Sequence, residues 1–326
     1  MARTPKLLLP EKYIDEAIKS INQAKSQINI LTMSIIDETG SDKLLEAAKQ
    51  AAKRGVKVSI AADTFTYTEP QKGSRVGDRL IAAQAMQRKL EKAGVKFHWL
   101  GRTSFFAAAG RTHSKWCVVD DTVYSFGGVN LNAAGITKWT DCMIRIDDAN
   151  LAFHLGAEQS RIIKADRAGH PYRSHWFGND KDRVLIDGGF VGDSIIYRRA
   201  CYWAKRSKEV ILVSQYCPTG RLSRLIKRVN RAKLYFNHWT NAGLLNRWVI
   251  RSGMILSRHD TAYYRRPYLH AKFIIFTLKD GSKVAITGSH NFVFGGVLLG
   301  TREVALETTD KRIIKQLEKF HAEQLA

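Results

Sequence analysis

Two short stretches of this chain carry residues that can do chemistry, and they carry them in the same order. The first, His113 to Asn130, reads HSKWCVVDDTVYSFGGVN; the second, His270 to Asn291, reads HAKFIIFTLKDGSKVAITGSHN. In each a His and a Lys stand two apart at the head of an apolar, β-branched run. The two-residue period of a strand therefore turns His113 with Lys115, and His270 with Lys272, to one face. A Gly-Gly or Gly-Ser step follows, Gly127 and Gly128 or Gly288 and Ser289, where a backbone turn can approach closely, and Asn130 and Asn291 close the two copies. A solvated strand face explains one His-x-Lys, but it gives no reason for two. A neutral imidazole is a competent nucleophile near pH 7, and a second, protonated one can hand a proton to a leaving oxygen.

With these residues in place the chain resembles the phospholipase D superfamily, whose signature is HxKxxxxD followed by a G-[GS]-x-N turn. The first copy fits it fully, through His113, Lys115, Asp120, Gly127, Gly128 and Asn130. The second departs from it: Thr277 stands at the Asp position, and Asp280 in the hairpin-like KDGSK reads as a turn residue. Attack on a phosphodiester concentrates negative charge on its non-bridging oxygens, which Lys115 and Lys272 would offset as point charges and Asn130 and Asn291 as donors. A working histidine also needs an acceptor for its other ring nitrogen. Asp141 and Glu303 are placed alike behind the two asparagines, each entering the next strand, and the superfamily has acidic partners at such positions. Asp120 reads instead as a structural acceptor for nearby backbone. By resemblance the reaction has two steps through a phosphohistidine, with His113 as nucleophile and His270 as acid and then base, and it calls for no metal and no cofactor.

These residues must be held by elements that the rest of the chain supplies. Helical patterns cover Glu11 to Lys25, 43–55, 79–94 and 151–165, and strands cover 28–35, 56–63, 95–100 and part of 138–150. Residues 166–182 are polar, aromatic and turn-rich, and read as a linker. The second half replays the order with helices at 192–207, after Pro218 and at 309–325, and strands at 209–216, 232–239 and 301–308. Segment 240–268 is less regular, with a helix over LLNRWVI. The expected fold is α/β, with two pseudo-symmetric phospholipase D-like lobes, 1–165 and 183–326, each a mixed, largely parallel sheet flanked by helices. The active site is expected where the lobes meet.

Composition bounds the partners. The chain has 326 residues, 44% hydrophobic, with a formal net charge of +22, which suits an anionic partner: nucleic acid, an anionic membrane surface or phosphorylated substrates. Four cysteines without a CxxC pair read as buried thiols in a reducing cytosol. No apolar run reaches the roughly 18 residues of a spanning helix, so membrane contact is expected to be peripheral. The segments KWTDCMIRIDDANL and QYCPTGRLSRLIKR are similar to stretches of bacterial cardiolipin synthases of the superfamily. That resemblance implies a phosphatidyltransferase acting on an anionic phospholipid such as phosphatidylglycerol, in the cytoplasm at the membrane surface. Phe105, Phe106 and Arg111 before the first motif, and Tyr264 and Arg266 before the second, are candidate lipid contacts. A metal-independent nuclease and a non-catalytic anion-binding module remain the rival classes, and the oligomeric state is open.

Overall fold

Short β-branched runs alternate with Ala-, Leu- and Lys-rich stretches through the first half, and the chain folds accordingly. The computed structural model describes residues 5–67, 77–101 and 110–326. In chain order the first half forms β1 (Lys6–Leu8), α1 (Pro10–Gln23), β2 (Gln27–Thr32), α2 (Asp42–Lys53), β3 (Lys57–Asp63), α3 (Asp78–Lys92) and β4 (Lys96–Leu100). The hairpin β5 (Trp116–Val119) and β6 (Thr122–Ser125) follows, then α4 (Ala133–Thr137), β7 (Trp139–Thr140), β8 (Met143–Asp147) and α5 (Ala149–Ala168). The second half forms β9 (His175–Gly178), β10 (Asp182–Gly188), α6 (Ile195–Ala204), β11 (Ser207–Val213), α7 (Gly220–Ile226), β12 (Arg231–Tyr235) and α8 (Leu244–Ser257). It ends in β13 (Tyr268–Leu269), β14 (Phe273–Leu278), β15 (Lys283–Gly288), α9 (Phe294–Leu298), β16 (Arg302–Thr308) and α10 (Lys311–Gln324).

The chain divides into two units. Unit 1 holds residues 1–125, 129–138 and 142–172; unit 2 holds 126–128, 139–141 and 173–326. Unit 1 is built on a seven-stranded sheet of order β1-β8-β6-β5-β2-β3-β4. Its core gathers Ile28, Ile30 and Ile60 from the strands with Ala17, Ile21 and Leu44 from α1 and α2. Unit 2 repeats the plan with a seven-stranded sheet of order β12-β11-β14-β15-β16-β10-β9, over a core that includes Leu212, Ile274, Phe276 and Ile286. Two stretches of the first half's sequence, 126–128 and 139–141, belong to unit 2, where β7 pairs in parallel with β13.

The sheets are mixed, but parallel pairing is the minority, which corrects the expected balance. In unit 1 β2 runs parallel to β3 and β3 to β4, while β1, β8, β6 and β5 pair antiparallel. In unit 2 β11–β12 is the parallel pair of the large sheet. The reason lies in the motifs: each is a hairpin, β5–β6 or β14–β15, and a tight turn joins antiparallel strands, whereas a parallel pair needs a crossover. The expected linker is also partly structured. α5 runs on to Ala168, and His175–Gly178 forms the edge strand β9 with half-buried and exposed residues alternating, the signature of a strand at a sheet margin. Cys117, Cys142, Cys201 and Cys217 are free and buried. Among the described residues no helix is long and apolar enough to cross a membrane.

Candidate active site

Each motif lysine folds back on its own histidine. In unit 1 Lys115 and His113 are both buried, and Lys115 Nζ donates to the His113 carbonyl at 2.7 Å. In unit 2 Lys272 Nζ donates to the His270 carbonyl in the same way. These residues sit just ahead of β5 and β14 rather than within them. Lys115 and Lys272 are each 1% exposed and rank among the largest fully buried side chains, so an ammonium is kept inside the protein beside each motif.

The asparagines repeat the pattern. The side-chain oxygens of Asn130 and Asn291 are both buried with no hydrogen-bond partner. Buried polar atoms are normally satisfied, so an orphan at the same motif position in each unit marks a place prepared for a ligand or water. Asn132, two residues on, is fully used: its Oδ1 caps α4 by accepting from Gly135 N at 2.7 Å.

Unit 2 shows how one histidine is held. His270 Nδ1–H donates to Asp141 Oδ2 at 2.6 Å, with the Asp141 side chain 0% and the His270 side chain 4% exposed. Gly128 N donates to Asp141 Oδ1 at 3.1 Å, so both carboxylate oxygens are engaged. The Trp139 ring lies 4.6 Å from the imidazole, inclined by 33°. The His270 and Ala271 amides donate to Thr140 O at 2.9 and 3.0 Å, and Asn237 brackets the preceding Leu269, accepting from its amide at 2.8 Å and donating to its carbonyl at 2.7 Å. Backbone, carboxylate and indole thus fix the ring, with Nε2 as the nitrogen that Asp141 does not hold. This is the arrangement a nucleophile or proton carrier requires. The carboxylate comes from the first half's sequence and the histidine from the second.

Glu303 lies in β16, buried, opposite Asp187 of β10, and Ser289 Oγ of the second Gly-Ser turn donates to its carboxylate. Asp187 accepts from Ser194 Oγ at 2.5 Å and from Ile195 N at 2.8 Å at the start of α6. Burial pushes its carboxyl up to about 7, with the Glu303 charge adding to the rise and the Ser194 hydroxyl opposing it. His290, between Ser289 and Asn291, accepts from Phe292 N at 2.8 Å through Nδ1, and burial holds its pKa below the ordinary value, so it is a neutral clasp of the turn.

Asp120 occupies the turn between β5 and β6 at φ +48° and accepts from Lys25 N, Ser26 N, Ser26 Oγ and Gln27 N at 2.6 to 3.0 Å. It is a backbone anchor. Thr277 lies within β14, and Asp280 accepts from Ser282 N and Oγ in the next turn. Of the expected lipid contacts, Phe105 and Phe106 lie outside the described residues. Arg111 is not a surface cation: its Nη1 donates to Asp63 Oδ1 and Thr64 Oγ1, both at 2.8 Å, because the fully buried Asp63 carboxylate needs a countercharge. Tyr264 and Arg266 are exposed. Trp139, Asn237 and Asp187 were not singled out by sequence; Trp139 had a signal in the KWTD stretch, while Asn237 and Asp187 act through tertiary placement that spacing does not reveal. Among the described residues no group of three or more His, Cys, Asp or Glu could hold a metal ion.

The family model described as the cardiolipin synthase, phospholipase D-like domain matches residues 17–163. Cardiolipin synthase A of Buchnera aphidicola subsp. Schizaphis graminum is 28% identical over 159 residues, covering 48% of this chain and 29% of that protein. Cardiolipin synthase B of Salmonella typhi is 24% identical over 304 residues, covering 80% of this chain and 67% of that protein. The chain therefore spans less than a third of the first relative's length. Among solved structures, the phosphatidylserine synthase of Haemophilus influenzae Rd KW20 superposes with a TM-score of 0.75 over 98% of this chain and 85% of that one at 14% identity. Polyphosphate kinase from Porphyromonas gingivalis gives 0.61 over 97% and 49% at 11% identity. At those identities the likeness is one of fold.

Proposed function

We propose that this chain is a phospholipase D-superfamily phosphatidyltransferase of cardiolipin-synthase type working through a phosphohistidine. The observation that carries this reading is the buried His270–Asp141 pair beside Lys272. His113 Nε2 attacks the phosphorus of a phosphatidyl donor, and as the P–N bond forms, the P–O bond to the leaving alcohol breaks. His270 gives that alkoxide its proton. In the second step His270 takes the proton of an incoming hydroxyl, whose oxygen attacks phosphorus and displaces the His113 nitrogen. The buried ammonium groups of Lys115 and Lys272 and the amides of Asn130 and Asn291 stabilise the charge that gathers on the non-bridging oxygens, where preorganised donors count most. Phosphatidylglycerol as both donor and acceptor fits the cationic chain, with cardiolipin and glycerol as products.

The test is incubation of the purified protein with phosphatidylglycerol vesicles in chelator, followed by mass spectrometry of the lipids. Cardiolipin and glycerol are expected, and His113→Ala and His270→Ala should each abolish them. Degradation of single-stranded DNA or RNA with no change in the lipid would replace this reading with that of a nuclease. Full turnover in His113→Ala would refute the mechanism itself.

A further inference from the structure

Helix α8 is amphipathic with its apolar side facing out. Ile250 is fully buried, Gly253 is buried, and Ser257 Oγ donates to Pro218 O at 2.8 Å, so one side is pinned to unit 2. On the other side Leu244 is 74% exposed, Trp248 61%, Ile255 65% and Leu256 82%, with exposed Ser252 in the turn between. An apolar stripe normally faces a core; this one faces solvent. The helix carries no acidic residue, and exposed Arg247 and Arg251 line one edge of the stripe, with the Arg251 guanidinium 5.3 Å from the Trp239 ring. On its buried side α8 packs at Gly253 near Thr219, whose hydroxyl accepts from Phe294 N at the start of α9, where Phe294 and Leu298 are also exposed. On another side Asn241 Nδ2 donates to the carbonyl of exposed Tyr264, whose hydroxyl donates to exposed Asp260, and exposed Arg266 follows.

We propose that this face docks on an anionic bilayer, with α8 lying in the headgroup plane, a proposal that rests on the phospholipid reading of the site. Bulky apolar side chains with an aromatic, on a helix that carries arginines and no carboxylate of its own, match an interface that is apolar below and negative at its surface. A protein partner would match the apolar stripe equally well, but the apolar stripe alone would not call for the two arginines on the helix. The inner side of the helix leads to the site: Tyr216 OH donates to Asn246 Oδ1 at 2.9 Å, and Gln215 Nε2 donates to the hydroxyls of Tyr216 and Tyr268, the latter in β13 immediately ahead of His270. Docking through α8 would set the lipid surface one helix away from β13, which runs directly into the second histidine.

The experiment is co-sedimentation with vesicles of phosphatidylglycerol and phosphatidylcholine or of phosphatidylcholine alone, run with light scattering and with turnover of soluble bis-p-nitrophenyl phosphate. The double variant Trp248→Ser, Leu256→Ser should bind the anionic vesicles at least about tenfold more weakly, and Arg247→Gln or Arg251→Gln about fivefold each. Soluble turnover and thermal midpoint should stay at the wild-type level. Equal vesicle binding by wild type and double variant would overturn the docking surface, as would a concentration-dependent dimer that the double variant abolishes without loss of vesicle binding. If vesicle binding depends on α8 but no lipid product forms, the surface stands and the phosphatidyltransferase reading falls.

Discussion

Gly128→Ala offers a sharp test of how the His270 site is built. A Cβ at Gly128 would lie 2.7 Å from Asp141 Oδ2 and 2.8 Å from both His270 O and Lys272 Nζ. Ordinary contact begins near 3.4 Å, so the substitution asks these groups to recede by roughly 0.6 Å, and one of them is backbone. Gly128 is not among the glycines with positive φ, so alanine brings no backbone strain there. Its cost is steric, about 1–3 kcal/mol for an overpacked interior, offset by about 0.4–1 kcal/mol from a less flexible unfolded chain. The midpoint of thermal unfolding should therefore fall by only a few degrees, about 2–4 °C per kcal/mol.

Turnover should suffer far more than stability. The displaced atoms are the acceptor that holds His270, the ammonium beside it and the histidine's own carbonyl, and misplacement on this scale costs roughly a hundredfold in rate. Hydrolysis of a soluble phosphodiester, measured alongside calorimetry, reads the chemistry without dependence on a lipid surface. Turnover within about threefold of wild type would refute the claim that Gly128 is small because the site closes against it. The second motif carries Ser289 at the matching position, so sequence alone would expect a small side chain to be tolerated; the packing around Gly128 argues the opposite.

Other outcomes follow from the same geometry. Asp141→Asn keeps the shape but replaces an acceptor by an amide beside Nδ1–H, and should cost about 10³- to 10⁴-fold in turnover by analogy with other carboxylate–histidine pairs, measured on the soluble phosphodiester. Asp120→Ala removes an acceptor from three backbone amides and a hydroxyl; calorimetry should show a loss of about 1–3 kcal/mol while turnover per folded molecule stays within about twofold. Asp187→Asn tests a buried acid whose folded pKa, about 7, is raised from 3.8. Its contribution is fully present below pH 4 and is lost as pH rises through 7, at up to about 1.4 kcal/mol per unit, so the variant should gain on wild type at pH 8 and not at pH 4. Parallel midpoint–pH profiles would contradict that.

Much of the fold was legible because its signals are local. The Ala-rich helix at 43–55 and the strand at 56–63 appear as α2 and β3 nearly at the expected bounds, since each buries one continuous apolar face. β10 was missed although VLIDGG is strand-like: it interposes between α5 and α6, where the replayed order suggested a linker running straight into a helix. α8 runs through Leu244–Ser257, beyond the LLNRWVI expected as helix, because Gly253, a poor helix former, is where the helix packs closely on Cys217. For the site, spacing brought out the histidines, lysines and asparagines, but not which acid holds which ring. Asp141 reaches His270 because 139–141 crosses into unit 2 as β7, a tertiary fact with no periodic signature.

The departure of the second motif can be understood at the level of turns. In the first, Val119 pairs with Thr122, leaving Asp120 and Asp121 as a two-residue connection, and Asp120 in left-handed backbone ties that turn to residues 25–27. In the second, Thr277 pairs with both Glu209 and Lys283 inside the sheet, and the chain turns later, where Asp280 holds Ser282 and Gly281 takes φ +89°. The longer hairpin moves its turn beyond the sheet position that Asp120 occupies, so an acceptor at 277 would have no turn to anchor. The carboxylate lost from the signature belongs to hairpin architecture, and the bonds of His270 to Asp141 and of Lys272 to the His270 carbonyl form without it.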